Sequence, residues 1–177
     1  MLPLVAAGAL YALLCTVLSG SLPEFVPISW DSSLVADRFV RRHELVLLSA
    51  AVGLAVAAVS GGGAALVRWY APAGTTRQAQ LRQLVSADLV HLGSVTLLFL
   101  TLELAVGYGP EGVVGASGAD SYASAEAELA AAAGTELPVA ALVLLAGYAL
   151  YLLGWAGWWA PRRYRPHPAP READSTG

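Results

Sequence analysis

A chain of 177 residues that is 56% hydrophobic and only 13% charged is too apolar for an ordinary soluble domain, in which charged residues approach a quarter of the total. Its net charge of −3 argues against nucleic acid as a partner, and its single cysteine excludes an internal disulfide and any cysteine-rich metal or iron–sulfur centre. All ten basic residues are Arg, which with the abundant Ala, Gly and Val suggests high-GC coding, while the acidic stretch at 109–136 would suit a halophile.

Crossing a bilayer takes about 20 mostly apolar residues, because the hydrocarbon core is roughly 30 Å thick and a helix rises about 1.5 Å per residue. Four segments have that length: residues 2–22, 45–67, 88–108 and 137–160. Runs such as LVLLSAAVGLAVAAV lack the polar and apolar alternation of barrel strands. The expected fold is all-α, an integral membrane four-helix bundle over residues 1–160, with 161–177 as a disordered cytoplasmic tail containing Pro and Arg.

The first segment has no Lys or Arg before its apolar run, and that run is longer than a usual signal core, so a retained helix is favoured over a cleaved signal peptide. Cys15 reads as a small apolar packing residue. In the loop that follows, Pro23 and Pro27 enforce an extended exit. Asp31 to Ser33 then offer caps, and Leu34, Val35 and Phe39 share a face opposite Asp37 and Arg41, which predicts a short interfacial helix anchored by Trp30.

In the second span, Ser49, Gly53, Ala57, Gly61 and Ala65 recur every four residues and form a stripe without bulk. Lipid offers no hydrophobic drive for helix association, so close backbone approach along such a stripe is the expected packing surface. Three consecutive glycines, Gly61 to Gly63, each weaken a helix by roughly 1 kcal/mol relative to Ala. They predict either a tight helix crossing or a local break.

The third span carries the ionisable groups. At about 100° per residue, Asp88, Thr96 and Glu103 fall in one sector of roughly 80°, and His91, Ser94 and Thr101 occupy another. Asp88 and His91 are three residues apart, close enough for the carboxylate to orient the imidazole, as proton relay or metal ligation requires. The alternative is that Asp88 merely begins the helix at its positive end, with His91 bonded to a neighbouring helix. Glu103 lies within the apolar run, where an isolated carboxylate costs several kcal/mol, and its expected companions are His43 and Arg42.

Residues 109–136 are Gly- and Ala-rich with five acids and no base. SAEAELAAAAG within them predicts a short helix in an acidic external loop, capped by Ser124 and stopped at Gly134. The fourth span ends in WAGWWAPRR, which places Trp155, Trp158 and Trp159 at headgroup depth with Arg162 and Arg163 beyond, and Pro161 is expected to stop the helix.

Both termini are expected in the cytoplasm, since that arrangement puts Arg68, Arg77, Arg82, Arg162, Arg163, Arg165 and Arg171 inside against Arg38, Arg41 and Arg42 outside. No phosphate loop, dinucleotide fingerprint, paired-His metal motif or nucleophile signature is present. The expectation is a multi-pass cell-membrane protein without catalytic chemistry, an accessory or assembly subunit whose partners are the lipid bilayer and other membrane subunits or itself. No metal and no cofactor are predicted. Two alternatives are a proton- or cation-coupled permease using Glu103 as an oligomer, and a haem- or quinone-linked redox subunit using His91 and His43.

Overall fold

The computed structural model describes residues 1–30, 36–69, 76–108 and 139–164. Helix α1 (Leu2–Ser21) leads into a hairpin of strands β1 (Phe25–Trp30) and β2 (Ala36–Arg41). Helix α2 (Arg42–Trp69) follows directly, then α3 (Thr76–Tyr108) and α4, which runs from Val139 to Arg163. All four helices are long and apolar enough to cross a membrane, which fits a multi-pass membrane protein.

Helices α1, α2 and α3 pack on one another, and α4 leans on α3. The core of the three-helix unit has two parts. One gathers Leu4, Ala7, Tyr11, Cys15, Ala64, Val90 and Leu97; the other, at the hairpin end, gathers Leu18, Leu22, Val26 and Leu45. Cys15 is a buried packing residue of the first part.

The small-residue stripe explains how closely α1 and α2 approach. A Cβ on Gly53 would come within 2.6 Å of Tyr11 Cδ1, and the Tyr11 hydroxyl, held over this glycine, donates to the Ser49 carbonyl at 2.7 Å. A Cβ on Gly61 would lie 3.3 Å from Leu4 Cδ2. The helix runs unbroken through Gly61, Gly62 and Gly63, so no local break forms there. Gly61 faces α1, Gly63 faces Leu89 on α3, and a Cβ on Gly62 would meet nothing within 4 Å. Three glycines are tolerated because two of them admit a neighbouring helix, and that packing offsets their cost in helix propensity.

The first loop departs from expectation: its described residues form an antiparallel hairpin rather than a short interfacial helix. The prolines that keep Phe25–Trp30 extended leave an open edge of backbone N–H and C=O groups, and Ala36–Arg41 satisfies that edge as a helical turn would not. Phe39 and Val40 also favour a strand. Pairing shifts after Pro27, which has no N–H to give; its carbonyl accepts from Tyr108 at 3.0 Å instead. Arg42 joins hairpin to helix, its backbone N–H donating to Glu24 and its guanidinium to the Leu22 carbonyl at 2.9 Å, beyond the negative end of α1.

Two other boundaries move. Helix α3 begins at Thr76, twelve residues before Asp88, so Asp88 lies inside a helix and does not start one. Pro161 does not stop α4 either. Residues Trp155–Trp159 form a π-turn, in which the Ala160 N–H bonds back to the Trp155 carbonyl, and helix resumes over Ala160–Arg163. The wider turn accommodates a ring that would clash in a regular helix. The expected helix in the acidic loop and the tail from 165 onward lie outside the described residues.

Candidate functional site

The polar groups of α3 divide by neighbour. Ser94 and Thr101 are buried, and each hydroxyl donates to the carbonyl four residues back, Val90 at 2.6 Å and Leu97 at 2.7 Å. That is how a helix hides a hydroxyl in an apolar core. Asp88, His91 and Thr96 instead meet α4 and the residue just past it, where Tyr164, Tyr151 and Tyr148 receive them.

Asp88 is only 4% exposed. Its Oδ2 accepts a short hydrogen bond from the Tyr164 hydroxyl, and its Oδ1 lies 3.5 Å from the Arg163 guanidinium. A buried carboxylate is tolerable when a cation and a donor share it, and here both come from the end of α4. Burial first, and then the bond to Asp88, pushes the Tyr164 phenol up to about 12.

One turn further along α3, His91 Nε2 and the Tyr151 hydroxyl are 2.8 Å apart. The carboxylate expected to orient His91 is thus engaged elsewhere, and a tyrosine takes that position. Thr96 Oγ1 bonds the Tyr148 hydroxyl at 2.7 Å while donating to the Leu92 carbonyl, and the Tyr148 ring stacks on Phe99 with centroids 4.2 Å apart. The seam between α3 and α4 is therefore polar and aromatic on both sides, unlike the small-residue contacts among the first three helices.

The end of α4 carries two cation–π pairs, with the Arg162 guanidinium 3.2 Å from the Trp158 ring centroid and Arg163 4.3 Å from that of Trp159. Arg163 thus links Asp88 to the π-turn. A groove of about 400 Å³ opens beside it, lined by His91, Leu150, Tyr151, Gly154, Trp155 and Trp159. A second, of about 500 Å³, lies between α1 and α2 and is lined mainly by small residues, among them Gly8, Ala12, Thr16, Ala50, Gly53 and Ala57.

Glu103 lies apart from the seam. Its Oε1 is buried with no hydrogen-bond partner among the described residues. The companions expected of it are not there: the Arg42 guanidinium bonds the Leu22 carbonyl, and His43 is exposed on the first turn of α2. His43 and His91 are far apart as well. Gly93 packs against Ser60, which sets those two residues at one level, and His43 lies 17 residues before Ser60, about 25 Å along the bundle. Two such imidazoles do not fit one haem. Among the described residues no group of three His, Cys, Asp or Glu side chains could hold a metal ion.

Tyr148 and Tyr151 were legible only as aromatic residues in an apolar run, and Tyr164 only as one in the arginine-rich stretch just past α4. The available signal was their hydroxyls: two phenols on one span need partners in lipid, and the preceding span is the one with polar side chains to offer. Gly93 gave less warning. It is a single glycine, and only the crossing helix shows that a Cβ there would collide with Ser60.

No protein-family model, curated protein or solved structure matches the chain.

Proposed function

We propose that the chain is a multi-pass cell-membrane protein that works by association, as a small accessory or assembly subunit, with both termini in the cytoplasm and no catalytic chemistry of its own. The groove between α1 and α2 carries this reading. It is walled by Gly8, Ala12, Ala50 and Ala57 with Thr16 at its rim, the residue types that let a further helix approach closely in lipid. Leu54, an exposed apolar side chain, lines it as well. The arginine and tryptophan pairs at the end of α4 suit a cytoplasmic interface.

The test is native mass spectrometry after extraction in several mild detergents. A second polypeptide or a second copy should co-purify with the wild type and be lost on Ala12→Leu with Ala50→Leu. A strictly monomeric wild type under every extraction condition would count decisively against association.

A second reading rests on Glu103, whose buried and unpartnered carboxylate oxygen is what a protonatable group in a permease would present. It predicts cation-coupled flux in proteoliposomes that Glu103→Gln abolishes; flux that survives the substitution removes this carboxylate from transport. A haem shared by His91 and His43 finds no support in their separation, and the purified protein is expected to show no Soret band.

A further inference from the structure

Three independent features converge on the groove between α3 and α4. Its wall includes the π-turn Trp155–Trp159, a device that widens a helix and recurs at functional sites. Gly154 also lines it and leaves room, for a Cβ there would meet nothing within 4 Å. Its polar edge is the His91–Tyr151 pair.

The hydrogen count of that pair points to a ligand. A neutral imidazole has one N–H and a phenol one O–H. Their mutual bond uses one of these two hydrogens whichever tautomer is present. The other, on His91 Nδ1 or on the Tyr151 oxygen, is left without an acceptor among the described residues. Trp155, on the same wall, also has an indole N–H with no acceptor among them. The indole N–H is buried, where an unfilled donor is costly, while His91 is exposed, which leaves the hydrogen of the pair accessible to a ligand. An acyl chain offers no acceptor, whereas a flat ring bearing carbonyl oxygens offers an acceptor to the pair and a face to the indoles.

We propose that this groove binds the head group of a membrane-soluble quinone, with one ring carbonyl accepting the hydrogen that the His91–Tyr151 pair leaves free and the ring lying against Trp155 and Trp159. The depth is suitable. His91 is three residues from Asp88, about 4.5 Å along α3. Asp88 and Arg163 mark the polar edge, and Arg163 holds Trp159 in place from above. An isoprenoid tail would leave through the lipid-facing opening. The inference goes beyond association and requires only that the chain span a bilayer.

The experiment titrates decylubiquinone into the full chain in dodecyl maltoside, reading tryptophan fluorescence against N-acetyltryptophanamide in the same micelles. One saturable site per chain is expected. His91→Phe or Tyr151→Phe alone leaves one donor and should weaken binding modestly, while the double variant removes both and should weaken it at least ten-fold. Gly154→Leu should abolish binding by filling the groove. Photolabelling of the wild type with an azidoquinone gives a readout that needs no variant, and label is expected within residues 89–95 or 150–159. Unsaturable quenching, a double variant that binds as the wild type does, or label elsewhere in the chain would overturn the proposal. So would displacement of the quinone by an equal concentration of dioleoylphosphatidylglycerol, which would assign the groove to a phospholipid.

Discussion

Asp88 organises the end of α4 through two atoms of one carboxylate, each with its own partner. Its removal should therefore be felt at Tyr164. A phenol that is harder to ionise in the fold than out of it stabilises the fold below pH 10, and that contribution disappears as the pH passes the folded value of about 12. The tyrosinate absorbance of the wild type minus that of Tyr164→Phe should show one phenol titrating near 12. In an Asp88→Asn background the same difference should move toward 10, because the carboxylate that disfavours the phenolate is gone. Glu103 behaves oppositely: its buried oxygen has no partner to lose, so Glu103→Gln should leave thermal stability in detergent unchanged or higher.

The helices use two different packing chemistries. Between α1 and α2, glycine admits an aromatic ring, and the position of each glycine decides what an added methyl group does. Gly53→Ala should cost about 1–3 kcal/mol, because the new Cβ displaces Tyr11 and breaks its bond to the Ser49 carbonyl. Gly62→Ala, in open space on the same helix, should be neutral or stabilising by up to about 1 kcal/mol. Thermal unfolding of the two variants in one detergent separates these cases, and equal effects would mean that the stripe is not the contact surface. Between α3 and α4 the contacts are hydroxyl to hydroxyl, imidazole and carboxylate. Each such bond contributes about 0.6 kcal/mol on average in a membrane, up to roughly 1.7. Changing Tyr148, Tyr151 and Tyr164 together to Phe should speed amide hydrogen exchange at the end of α4 while leaving α1 to α3 protected.

At the scale of the molecule, three helices make the core and the fourth is attached along one edge, with none of its most apolar window buried. The hairpin closes the opposite end by tying α1, α2 and α3 through Arg42 and Tyr108. This arrangement gives the two ends different characters, a strand cap at one and aromatic and cationic side chains at the other. Cysteine labelling in a Cys15→Ala background tests the proposed orientation. A cysteine replacing Arg38 should react from outside intact cells, and one replacing Arg68 only after permeabilisation; the reverse pattern would place both termini outside.

Hydropathy and length by themselves determined that there are four apolar helices, because a membrane span is a property of one continuous segment and needs no partner to be recognised. Spacing marked Gly53 and Gly61 as positions without bulk for the same reason: small side chains four residues apart share a face wherever the helix lies. What only the tertiary structure decided is what each polar group meets. Asp88 reads as a helix start until α3 is seen to begin at Thr76, and as a partner for His91 until Tyr164 and Arg163 arrive from 75 or more residues away. The first loop reads as amphipathic over Leu34, Val35 and Phe39, yet Ala36–Arg41 pairs with a strand held extended by Pro27, since backbone hydrogen bonds are settled across the chain and not within a turn. Pro161 reads as a stop until the π-turn makes room for it. Local pattern specifies an element, whereas partners, registers and sites depend on which elements come together, and that is set by packing and by the satisfaction of polar groups where water is absent.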